Sequence, residues 1–240
     1  MLSGIDSTQL TAFARQFNNV ALLTYLIPLS IGLRRWPTLQ PVYRPLVWLV
    51  LISGCVFNGV LAELGRHVWH NNIIFLQLGT VTETLFLGWA YFHAFHSVRG
   101  RRVLLAALGL FLLTYLLEAF AIHSFSQGQD TYTHVAQSIL LVAVAVAYFE
   151  QTLRELRNIA LSQDPMFMVS VGTILYYAGT LMVFVLEGPL QSQPDLIWTM
   201  YIIQFILLIV LNCFYSLALW YGHRQPAPEQ LPEIWPPRHL

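Results

Sequence analysis

Lysine is missing from this chain: its 240 residues include twelve basic side chains, and every one is an arginine. No Schiff base can form on a lysine amine, which excludes a retinal-binding opsin. Charge of either sign is scarce. Charged residues make up 10% of the sequence, against about 25% in an ordinary soluble domain. Cysteine occurs twice, as Cys55 and Cys213, each inside an apolar stretch. Counted along their helices from one membrane face, they sit at heights of roughly 20 Å and 12 Å. Sulfur atoms cannot bridge that offset, so both are expected as free thiols. No basic patch is large enough for nucleic acid. The N-terminal MLSGIDSTQLTAFARQFNN lacks the basic-then-apolar order of a cleaved signal peptide. The first apolar segment is therefore expected to remain as a span.

Apolar length is what the chain has instead. Hydrophobic residues make up 56% of it, and its mean hydropathy is +0.58. Seven apolar segments are legible, at about 18–33, 42–62, 72–95, 103–122, 133–153, 166–187 and 197–221. Short connections join them, with no soluble domain between. Arg34, Arg35, Arg44, Arg99, Arg101, Arg102, Arg154, Arg157, Arg224 and Arg238 fall on one side of such a bundle, and only Arg15 and Arg66 on the other. The positive-inside rule then places the N-terminus outside and the C-terminus in the cytoplasm. The expected fold is all-α: a seven-helix transmembrane domain over residues 1–224, in the inner (plasma) membrane. The Pro-rich tail 225–240 is expected to be extended or disordered. Pro41 and the pair Asp164-Pro165 read as helix starts. Most tryptophans fall near segment ends, as an aromatic belt does.

The third segment carries the residue of greatest interest. Glu83 lies about twelve residues from its start, roughly 18 Å deep at the helical rise. A charge at that depth costs about 2.5–3.5 kcal/mol, so such residues face protein or a wet cavity. Gln77, Thr80, Thr84, Gly88 and Tyr91 follow 3-4-4-3 spacing and make one polar-and-small stripe, with Glu83 on its flank. Asn58 and Tyr176 are its candidate partners on depth alone.

Other polar residues gather towards the outer half: Glu63, His67 and His70 after segment 2, Glu118 and His123 near the end of segment 4, His134 at the start of segment 5, and Glu187 and Asp195 around the last outer loop. As interfacial residues they would snorkel or cap helix ends. As a cavity lining they would bind a ligand or respond to pH through histidine. As metal ligands they would hold an ion such as Zn²⁺, although no HxxxH or HExxH spacing is present. His93 and His96 read first as an interfacial pair beside a basic loop. Asn58 and Asn212 read as amides tying helices together. Gly172, Tyr176 and Gly179 make a stripe suited to close packing. Glu150 precedes Arg154 by one turn, a favourable surface pair.

The runs LRELRNIALSQDPMFMVSVGTILYYAGTLMVFVLEG and NNIIFLQLGTVTETLFLGWAYF resemble a family of small uncharacterised bacterial seven-span membrane proteins. The shared features are length, an acidic residue in the third span and an Asp-Pro before the sixth. That resemblance implies a fold and no activity. The zinc-dependent seven-helix hydrolases need histidines in the last helix, and none stands before His223 here. PQ-loop transporters need Pro-Gln at helix bends, whereas Gln40-Pro41 is reversed and lies in a loop.

The sequence thus points to a small membrane sensor or receptor-like module. It would bind a ligand in its outer half through Glu83, Asn58, Gln77, Thr80, Glu118, Tyr176, Glu63, His67 and His134. It would signal through a partner protein or a second copy of itself. A proton- or cation-coupled transporter or channel using Glu83 is the alternative, and an intramembrane metal-dependent hydrolase the third reading. No cofactor, catalytic residue or nucleic-acid partner is expected.

Overall fold

The structure is a computed structural model that describes residues 7–122, 131–154, 164–187 and 194–222. The expectations placed on His123, Arg157, Arg224, Arg238 and the tail lie outside those residues, as does the side chain of Glu187. The described elements are helices: α1 Ser7–Leu23, α2 Leu26–Arg35, α3 Pro41–Trp69, α4 Ile73–Ala94, α5 Val98–Leu117, α6 Thr131–Arg154, α7 Pro165–Glu187 and α8 Pro194–Tyr221. No strand occurs among the described residues. Six of these helices, α3 to α8, are long and apolar enough to cross a membrane. Their outward faces carry exposed Val60, Leu110, Ile139, Met182, Ile203 and Leu217, a surface that suits lipid and not water. The chain is a multi-pass membrane protein.

The expected first segment, 18–33, is not one helix. It is split between α1 and α2, which meet in a turn at Thr24 and Tyr25. The cause is Pro28. It has no N–H to donate to the Thr24 carbonyl one turn earlier, and its ring crowds that carbonyl. The Ile27 N–H reaches the Thr24 oxygen instead, at 3.1 Å in a tighter turn. Asn212 on α8 ties the break down, its amide donating to the Thr24 hydroxyl at 2.8 Å. α1 and α2 both pack along α8. Segment 2 also runs further than expected, to Trp69, and so includes His67.

The two ends of the bundle differ in charge. At one end the Arg35 guanidinium covers the Trp220 ring at 3.9 Å and donates to the Trp220 carbonyl. Arg44 lies 5.5 Å from Trp36. Arg101 donates to the Phe95 carbonyl at 2.8 Å, and Gln151 bridges to His96 and Ala94. These contacts bring the ends of α2, α4, α6 and α8 and the starts of α3 and α5 together as an arginine end. Above it lies a dense apolar core that includes Leu46, Leu87, Leu141, Leu211 and Leu219, each no more than 1% exposed.

Local hydrogen bonds fix several helix ends, of which the Asp164-Pro165 start was expected. Asp164 accepts from the Met166 N–H at 3.0 Å and from the Tyr148 hydroxyl at 2.9 Å, so the Asp-Pro pair starts α7 and anchors it to α6. The Ser97 hydroxyl accepts from the Gly100 N–H at the start of α5. α3 stops at His70, whose φ of 53° is left-handed, and the Asn71 N–H then bonds back to the Gly65 carbonyl at 3.1 Å. Gly65 is required there: a Cβ would meet the Asn71 carbonyl oxygen at 2.8 Å.

Candidate functional site

α4 turns its polar stripe inward. Gln77, Thr80, Glu83, Thr84, Gly88 and Tyr91 are all buried, while Ile74, Leu85 and Trp89 on the other side are exposed. The stripe faces several neighbours. The Ser53 hydroxyl on α3 donates to the Gly79 carbonyl at 2.9 Å. The Gln137 amide on α6 donates to the Thr80 carbonyl at 3.3 Å. Tyr91 shares a 3.0 Å hydrogen bond with Ser170 on α7. Gly88 lets Leu108 of α5 approach, since a Cβ would meet its Cδ1 at 2.8 Å.

α3 meets this stripe in an unusual geometry. Over Leu49–Leu61 and again over Gly65–Trp69 it follows wide π-type turns closed by i→i+5 bonds. Ser53 and Asn58, both within the first wide-turn stretch, meet α4 at Gly79. Asn58 lies over Gly79, where a Cβ would come within 2.8 Å of its Oδ1.

Between these helices is a cavity of about 790 Å³, within the usual range for small-molecule sites. α1, α3, α4, α6, α7 and α8 all line it. Glu63, Arg66 and His67 lie at its exposed rim, whereas Glu83 is a buried charged group of its wall. Eight of the nine residues singled out from the sequence line it: Glu83, Asn58, Gln77, Thr80, Tyr176, Glu63, His67 and His134. Glu63 is held between Arg66 at 3.0 Å and His67 at 2.8 Å, half-exposed at the rim. The His134 ring stacks on Phe184, with centroids 4.1 Å apart and planes 2° from parallel.

The ninth residue, Glu118, is not in this lining. Its carboxylate closes the N-terminus of α6, accepting from the Tyr132 N–H at 3.1 Å and from the Thr133 N–H and hydroxyl at 2.6 Å each. Glu118 is 1% exposed. Its negative charge satisfies the orphan donors of a helix start and complements the helix dipole.

The partners of Glu83 also differ from the expected pair. Tyr177 and Gln137 face its carboxyl, not Tyr176 and Asn58. Tyr176 lines the cavity beside it and approaches Gln204 of α8. Adjacent residues on a helix point about 100° apart, and depth alone cannot choose between them. The Tyr177 hydroxyl is buried and closes no hydrogen bond of ordinary geometry among the described residues. The same holds for the side-chain oxygens of Gln77 and Gln204, both in the cavity wall. Buried polar atoms in this state are rare. Deeper still, the Thr173 hydroxyl stands between Tyr91 and Tyr215. With Ser170 and the Tyr148–Asp164 bond they form a sparse column of hydroxyls through the otherwise apolar half.

Other candidates have local roles. The Trp89 indole donates to His93 at 2.7 Å, and His96 is engaged by Gln151. Glu150 pairs with Arg154 at 2.6 Å on the surface. Gly172 and Gly179 both face α8, against Phe214 and Leu207. Cys55 and Cys213 are free thiols. No group of three or more His, Cys, Asp or Glu side chains that could hold a metal ion occurs among the described residues. Only the end of α1 was read from the sequence, as the start of segment 18–33: Arg15, Asn18 and Asn19 line the cavity, although the N-terminal stretch reads as polar and external. The spacing of Ala14, Asn18 and Ala21 was the available sign of a helix facing the bundle, and Ala14 and Ala21 are fully buried.

Comparison with family models, with curated proteins and with solved structures finds no match.

Proposed function

We propose that the chain is a small ligand-binding membrane protein of the sensor or receptor type, with its ligand in the cavity between α1, α3, α4, α6, α7 and α8. One observation carries this reading: the cavity ends at Glu83, above a half of the bundle that is closed by packed side chains. A continuous pore would need that second half open. A blind cavity fits a ligand that binds and is read out through helix positions. The pair α1–α2 is taken as a seventh, broken span. The cavity then opens outside and the arginine end faces the cytoplasm of a bacterial inner membrane, in line with the resemblance noted above. A signalling partner, or a second copy of the chain, would meet the arginine end.

Accessibility tests this reading. In a Cys55→Ala, Cys213→Ala background, Gln77→Cys should react with a membrane-impermeant methanethiosulfonate added outside intact cells. It should stay unreactive when the reagent reaches only the cytoplasmic face. Labelling from the cytoplasmic face alone would overturn both the orientation and the ligand route.

The hydroxyl column between Glu83 and Asp164 favours a second reading, a proton-coupled transporter that uses Glu83 as its intramembrane site. Reconstituted protein should then acidify or alkalinise vesicles under a pH gradient, and Glu83→Gln should stop it. A sensor moves no protons in the same assay.

A further inference from the structure

We propose that the ligand of this cavity is a protonated amine, whose cationic head sits on the Glu83 carboxylate. The inference rests on the reading of the cavity as a ligand site and adds the chemical class. The cavity wall is rich in acceptors at depth. Glu83 supplies two oxygens, and the side-chain oxygens of Gln77 and Gln204 are buried there without a partner among the described residues. Gln77 is 5% exposed and Tyr177 is 2% exposed, and both line the space. The amide that faces Glu83, that of Gln137, is also bonded to the Thr80 carbonyl.

An ammonium group offers three donors and no acceptor, which complements such a wall. A carboxylate or phosphate ligand would meet the reverse: acceptors against acceptors, next to a carboxylate. The arginines of the cavity, Arg15 and Arg66, are exposed, and Arg66 is already paired with Glu63. No basic side chain is among those that act on Glu83. The countercharge is therefore left for the ligand to bring, as a charge-assisted hydrogen bond in a site poor in water. Tyr25, Tyr176 and Tyr177 line the same depth, and aromatic rings near a carboxylate add favourable contact for a desolvated cation. A neutral ligand would bring no countercharge to Glu83.

The test compares three probes with one body and different heads: 2-phenylethylamine, 2-phenylethanol and phenylacetate. Each is titrated against the full chain in lipid nanodiscs, and thermal unfolding is followed by tryptophan fluorescence. The amine should half-saturate at a concentration lower than the alcohol and the acid by about tenfold or more, the scale of one charge-assisted contact. Glu83→Gln should remove that preference while leaving unfolding cooperative. If Glu83→Gln does not fold, Glu83→Asp replaces it and should keep the preference for the amine. Equal binding of amine and alcohol, a preference that survives Glu83→Gln, or no response to the amine overturns the inference. The Gln77→Cys labelling described above then separates the two failures. A labelled cavity without amine preference removes only the ligand class, and an unlabelled one removes the site as well.

Discussion

At the scale of single residues, two buried acids, Glu83 and Glu118, have opposite fates. Glu83 faces a cavity and two side chains that only partly satisfy it. Glu118 is consumed by three donors at the start of α6. Depth and polarity in the sequence could not tell them apart, because the difference lies in where the start of α6 is placed. Residues 131–133 must return to the end of α5 before Glu118 has anything to cap. Glu118→Ala should destabilise the protein by about 2–3 kcal/mol, since it removes charged acceptors and strands buried N–H groups. Glu118→Gln should lose less, because an amide oxygen still accepts one of those bonds. Thermal unfolding in detergent measures both, and an unchanged midpoint for Glu118→Ala would contradict the capping role.

At the scale of elements, the inward side of α4 was legible because its stripe keeps a regular helical spacing over Gln77 to Tyr91. The face of α3 was not, because its wide π-type turns do not keep the 3.6-residue repeat of an ordinary helix. The break between α1 and α2 had a sign in Pro28, but hydropathy averages over a proline inside an apolar run. The glycines of α7 give a test of packing. At Gly172 a Cβ would meet the Phe214 Cβ at 2.8 Å, an atom fixed to its backbone. At Gly179 it would meet only the Leu207 Cδ1, at the end of a rotatable side chain. Gly172→Ala should therefore cost about 1–3 kcal/mol by overpacking, and Gly179→Ala less. Equal melting midpoints for the two variants would show that α7 and α8 can slide to accommodate either.

At the scale of the whole molecule, an all-helical bundle of apolar spans followed from composition, since about 20 apolar residues are needed to cross a bilayer, and six helices meet that length. Which helices enclose a space did not follow, because that depends on how each helix is rotated, and sequence spacing leaves rotation open. The gathering of Arg35, Arg44 and Arg101 at one end makes a clear topological prediction. A reporter fused after Arg224 should be active as a cytoplasmic fusion, and one inserted near Gly128 as an external one. The reverse at either site would exchange the two ends of the bundle. Glu118 also bears on how the chain enters a membrane during synthesis. Its carboxylate leaves the ribosome before the amides of Tyr132 and Thr133 that bind it, so α5 alone carries an uncompensated acid near its end. The translocation machinery would therefore gain by holding α5 until α6 arrives and releasing the two to lipid as a hairpin. That would make Glu118 a checkpoint of biogenesis as well as a cap.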